Sequence, residues 1–179
     1  MYGIHELKGF DREKCEKFIS DIDWKGLNHN SVFADSSSFR CASRIPSSSS
    51  GMRKSFGQPV QIMYFRNDSL ISFHVNCLAR GGLFNLNWNT GNRFASFPPQ
   101  SAASLDSVTI SYRDLVQCYP ELNQYKSGKY NVVIVWTLML EKISRSAIKT
   151  VISNTIRFEE GQNVSICLIN ADKCFKKGK

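Results

Sequence analysis

The sequence predicts a mixed α/β or α+β fold, in which an antiparallel hairpin (about 59–78) and a C-terminal β-α-β unit (about 131–170) supply the strands and helices pack on the sheet. Three observations predict it. Val132, Val133, Ile134, Val135 and Trp136 form an unbroken apolar run rich in β-branched side chains, and residues 165–169 (SICLI) repeat it, as strands do when both faces are covered. Between these runs Ile143, Ala147, Ile148, Val151, Ile152, Thr155 and Ile156 recur at three- and four-residue steps, which lines one side of a helix. Upstream, PVQIMYFRNDSLISFHVNCL holds two β-rich runs around a polar turn at Arg66, Asn67, Asp68 and Ser69, the pattern of a hairpin.

A strand, helix and strand of this length join as a right-handed parallel crossover in nearly all known cases. The helix is expected to pack Ile148, Val151 and Ile152 on Val133 and Val135, leaving Lys142, Arg145, Lys149 and Arg157 on a wet face. Its β-branched residues make it a poor isolated helix, dependent on the sheet. Ser144 serves as a candidate N-cap, and Gly161 with Gln162 and Asn163 as the stop before the second strand.

The remaining elements follow in chain order. In 10–27, Phe10, Cys15, Phe18, Ile19 and Ile22 mark an amphipathic helix between an Asp11 cap and a Gly26 stop. Residues 28–58 turn to Ser, Asn and Arg, a composition that buries too little apolar surface to order itself. A low-complexity loop region is therefore expected there, mobile over 46–54 and anchored by Phe33, Phe39 and Ile45. In the hairpin, both faces of 60–65 are at least half buried. Regular alternation in 70–77 turns Ile71, Phe73, Val75 and Cys77 inward and His74 outward. The segment 80–99 (RGGLFNLNWNTGNRFASFPP) concentrates Asn, Arg and aromatic residues. Arg80, Phe84, Asn85, Asn87, Trp88, Asn89, Arg93 and Phe94 are the candidate binding surface, since amides beside aromatic faces suit sugars, peptides or unstacked bases. The same residues also suit a twisted hairpin whose turns use Asn and Gly for positive φ. A short helix then runs from Tyr112 to Tyr119, capped by Ser111 or Thr109 and stopped or kinked by Pro120.

Composition bounds function loosely. One core, hence a single domain over 1–179, fits the length. The 42% hydrophobic and 21% charged content is ordinary for a globular chain. Lys and Arg number 23 against 15 Asp and Glu, a formal net charge of +8, which attracts anions such as nucleic acid or an acidic membrane without choosing among them. No apolar run approaches the ~20 residues of a spanning helix, and the first residues lack the apolar core of a signal peptide. The six cysteines lack tight spacing; Cys15 with Cys41 is the pair to test in an oxidising compartment, whereas a cytosolic location leaves all six reduced. Cys167, inside an apolar run, reads as a buried thiol.

Chemistry is sparse. Only Cys167 with Cys174, or His74 with Cys77, approach the spacing of metal ligands, so no metal or other cofactor is expected. His74 and Cys77 are also the weak candidate for a thiol site, because a Cys-His nucleophile needs its base within hydrogen-bond reach. There is no phosphate-cradling glycine loop. Asn170 and Asp172 stand at the carboxyl end of a parallel strand, where ligands often bind; they equally suit a cap on the chain's exit.

The order over 130–174 of strand, terminal Trp136, short loop, amphipathic helix and a second strand ending in Asn170-x-Asp172 resembles the first β-α-β unit of thioredoxin-like domains, in particular the periplasmic thiol-disulfide oxidoreductases. The family's Cys-x-x-Cys belongs after the strand at the helix N-terminus, where the helix dipole depresses a thiol pKa. Here Thr137, Leu138, Met139, Leu140, Glu141, Lys142, Ile143 and Ser144 occupy that place, and none is cysteine. The resemblance thus implies a redox-inactive relative, with the hairpin at 59–78 joining the sheet beside the parallel pair in a permuted arrangement. The expected function is non-catalytic binding of a protein or carbohydrate partner in the bacterial cell envelope, periplasmic if a signal has been removed and cytoplasmic otherwise. The alternatives are a basic cytosolic nucleic-acid-binding domain and an enzyme with an unrecognised Cys/His site.

Overall fold

The structure, a computed structural model, describes residues 7, 9–45, 50–75, 87–103, 105, 110–125, 129–158 and 163–175, with the backbone only at 50–52. The central strands β4 (Tyr130–Trp136) and β5 (Val164–Asn170) pair in parallel from Tyr130 with Val164 to Trp136 with Asn170, and every residue of both is buried. Runs without polar alternation have no face to leave in water. Helix α5 (Glu141–Arg157) makes the crossover between them.

Side-chain parity decides which face α5 covers. Ile148, Val151 and Ile152 share a core cluster with Val132, Ile134 and Trp136, whereas Val133 and Val135 belong to the cluster on the opposite face. The expected packing of α5 on Val133 and Val135 is therefore off by one position, which in a strand is the other side of the sheet. Ser144 is not the N-cap either. Its hydroxyl, one turn inside the helix, donates to the Thr137 carbonyl at 2.9 Å and accepts from the Thr137 N–H at 3.2 Å. Gly161 lies outside the described residues.

The hairpin joins the same sheet. Strands β2 (Gln61–Arg66) and β3 (Ser69–Val75) turn through Asn67 and Asp68, both at positive φ (48° and 84°), as a two-residue turn matched to the strand twist requires. Strand β2 pairs antiparallel with β4, from Gln61 with Val135 to Arg66 with Tyr130. With β1 (His29–Phe33) parallel to the far side of β5, the order is β1-β5-β4-β2-β3. The simple alternation expected for β3 fails at a bulge. Pairing steps from Phe65 with Leu70 to Tyr64 with Ser72, so Ile71 is the extra residue, and the pattern changes face there. Leu70 and Phe73 consequently enter one cluster and Ile71 packs on the other. His74, expected outward, is 2% exposed, because residues of 87–97 cover its face: its ring lies 4.6 Å from that of Phe94.

The stretch 28–58, expected as a loop region, carries β1, α2 (Ser36–Arg44) and α3 (Ser50–Phe56); of the mobile segment expected at 46–54, residues 46–49 lie outside the described residues. Tertiary partners supply the order that the local composition lacks. Strand β1 takes its hydrogen bonds from β5, the Asp35 carboxylate accepts from the Ser38 N–H at 2.7 Å to cap α2, and Phe56 packs on Phe73. Cys41 of α2 forms a disulfide with Cys118 of α4 (Tyr112–Cys118), which replaces the expected Cys15–Cys41 pair. Asp11 caps α1 (Arg12–Ser20) as expected, but the helix ends well before Gly26, whose φ of 79° serves the turn ahead of β1. The Ser111 cap of α4 holds, completed by Asp114 in a capping box.

Candidate functional site

At the junction of β4 and α5, where the resemblance places reactive thiols, the chain has a closed polar network. The Asp172 carboxylate accepts from the Thr137 hydroxyl, from the Leu138 N–H at 2.8 Å, from the Asn170 amide at 3.1 Å and from the Cys15 thiol at 3.4 Å. Asn170 and Asp172 are each 1% exposed. They sit at the carboxyl ends of the parallel strands, as expected, and face inward, where the Asp172 N–H also donates to the Asn170 side-chain oxygen at 3.1 Å.

The thiols point the same way. Burial, and then the neighbouring Asp172, push the Cys15 thiol up; burial pushes Cys167 up to about 12 and, with Asp35, Cys174 up to about 11. A reactive thiol needs the opposite environment. Among the described residues no group of three His, Cys, Asp or Glu side chains is placed to hold a metal, and no helix is long and apolar enough to cross a membrane.

The segment 87–97 uses its asparagines on itself. The Asn87 side-chain oxygen accepts from the Asn89 N–H at 2.9 Å, the Asn89 oxygen accepts from the Phe94 N–H at 2.8 Å, and Gly91 and Asn92 take positive φ. Trp88 and Phe94 are buried in the core, so neither offers an aromatic face for stacking. Arg93 is half-buried and close enough to His74 to help burial, the larger cause, lower that imidazole to about 4. The His74 Nε2 lies 2.9 Å from the Ser72 hydroxyl. Arg80, Phe84, Asn85 and Cys77 lie outside the described residues, so the candidate surface is seen only over 87–94, and of the thiol pair only His74.

What the structure does bring together is this segment and the outer face of α5. Asn154, 3% exposed, clips them: its amide donates to the carbonyls of Phe94 at 3.1 Å and Ser96 at 2.8 Å, and its oxygen accepts from the Tyr64 hydroxyl at 3.4 Å. The result is a groove of about 540 Å³ with Asn89 and Phe94 on one wall and Lys142, Arg145, Lys149, Ser153 and Arg157 along the other. No Asp, Glu, His or Cys is among its described lining residues. Arg145 is paired with Glu141 at 3.1 Å and lies over the Phe18 ring. Lys142, Lys149 and Arg157 are exposed and make no ion pair with a described residue.

The three-and-four spacing of the cations was legible as a wet helix face, but not as one wall of a groove. Asn154 was missed; a polar residue within the apolar stripe between Val151 and Thr155 was the available signal. A second groove, of about 1150 Å³, opens between α1, the residues before it and the start of α5. Its four carboxylates and four cations leave it without a dominant sign. Comparison with protein families, with curated proteins and with solved structures finds no match to this chain.

Proposed function

We propose that the chain is a redox-inactive, non-catalytic binding domain, a divergent thioredoxin-like relative of permuted order, that works in the cell envelope or another oxidising compartment and takes a carbohydrate in the groove on α5. The observation that carries this reading is the groove itself: an open concavity walled by Phe94 and by amide, hydroxyl and cationic side chains, with no Asp, Glu, His or Cys among its described lining residues. A protein partner is the weaker choice, since anchors of such interfaces are large apolar or aromatic groups, and among the described residues Ile156 is the one large hydrophobic left exposed. The thioredoxin-like part is supported by the pairing of β2 with β4 and by Thr137 and Asp172 closing the place of the missing thiols. The compartment is supported by the Cys41–Cys118 disulfide.

A glycan array probed with the disulfide-bonded protein, followed by calorimetry on the best ligand, tests the reading. Binding is expected, and Ser153→Trp, which fills the groove from an exposed helix position, is expected to abolish it without lowering thermal stability. Unchanged binding by that variant would move the site elsewhere. Reduction of a model disulfide at a rate abolished by one Cys→Ser change would overturn the redox-inactive reading.

A further inference from the structure

Resting on that carbohydrate reading, we infer that the ligand is a polyanionic polysaccharide, a chain of carboxylated or sulfated sugars laid along α5. Lys142, Arg145, Lys149 and Arg157 fall three, four and eight residues apart on one helix face, a row of about 22 Å at 1.5 Å per residue. Like charges at such spacings repel, and among the described lining residues no carboxylate relieves them. Glu141 neutralises only Arg145. A ligand carrying repeated negative charge supplies the missing partners along the whole row, and the exposed Ser153 between Lys149 and Arg157 adds a hydroxyl for hydrogen bonding.

Nucleic acid shares the charge but fits less well. Unstacked bases are held by stacking on exposed aromatic faces, and the aromatics beside this groove, Trp88 and Phe94, are 9% and 5% exposed. The disulfide also favours a compartment where polysaccharides are the prevalent anionic polymers.

The test is titration of the full chain, disulfide intact, with heparin, polygalacturonate, neutral dextran and a single-stranded oligonucleotide between about 50 and 200 mM salt. Heparin or polygalacturonate is expected to bind, with affinity falling about 50- to 150-fold over that range through counterion release at the four cations; which of the two binds more tightly distinguishes sulfate from carboxylate as the recognised group. The pair Lys149→Ala/Arg157→Ala is expected to flatten the salt slope by about 1.5. The pair Lys54→Ala/Arg66→Ala, which removes the same net charge from exposed positions outside the groove, is expected to leave it unchanged. Equal effects from the two pairs would reduce the binding to net charge and overturn the inference. Tighter binding of the oligonucleotide through the same groove cations would overturn it in favour of nucleic acid. Salt-independent binding of dextran would overturn it while leaving the carbohydrate reading in place, and binding of no glycan would end both.

Discussion

Asp172 and His74 show how a residue's role depends on what closes over it. The Asp172 carboxylate is buried and receives four donors from Cys15, Thr137, Leu138 and Asn170, so truncation strands each of them without an acceptor. Asp172→Ala is expected to cost about 3 kcal/mol, read as a lower urea midpoint at unchanged m-value. For His74, burial holds the folded imidazole at about 4, against an ordinary value of 6.5. The unfolded chain therefore binds the extra proton between those values, so this contribution is fully present above pH 6.5 and is lost as the pH falls towards 4. The loss is on the order of 3 kcal/mol. Denaturant titrations across pH 4 to 7, with wild type and His74→Gln compared, check it: the variant's curve should lack this slope. Neither environment was legible locally. An alternating strand places His74 on the face opposite Phe73 and Val75, and the cover of that face by residues 87–97, with the Phe94 ring 4.6 Å away, puts it inside.

Elements were legible in proportion to how much of their stability is local. The Asp11 and Ser111 caps announce α1 and α4 because a capping side chain bonds within three residues. Helices α2 and α3 and strand β1 were hidden, since a Ser-rich stretch carries no apolar period and orders only against β5, α4 and Phe73. Part of that order is covalent. The Cys41–Cys118 bond closes a loop over a separation of 77 residues, and a chain-entropy treatment puts its contribution at about 4 kcal/mol. Cys41→Ser/Cys118→Ser, or reduction, is expected to lower the melting temperature with α2 unfolding first, seen as early loss of amide protection at 36–44. Thiol titration of denatured protein should rise by two on adding reductant.

At the scale of the molecule, one sheet divides two apolar clusters, one under α1 and α5 and the other under α2, α3 and α4. Because β4 contributes Val132 and Ile134 to the first and Val133 and Val135 to the second, neither cluster can dissolve without exposing the other. Tryptophan fluorescence and far-ultraviolet circular dichroism are therefore expected to report a single coincident unfolding transition; separate midpoints would show that the hairpin and the crossover unit melt independently. The same layering turns the cations of α5 outward as a row, which a net charge of +8 by itself does not locate.

The sequence by itself determined the central parallel strands, the crossover helix, the hairpin with its turn and the mixed class of the fold, because each rests on periodicity and turn chemistry within a few residues. It also determined that no cysteine lies between Thr137 and Ser144, the segment that joins β4 to α5. Only the tertiary structure decided that the hairpin shares the sheet with β4, that α5 covers Val132 and Ile134, that Cys41 meets Cys118, and that Asn154 draws 87–97 against α5 to form a groove. Those outcomes depend on contacts between residues far apart in the chain, where parity, a single bulge and mutual burial choose among arrangements that local patterns leave equal.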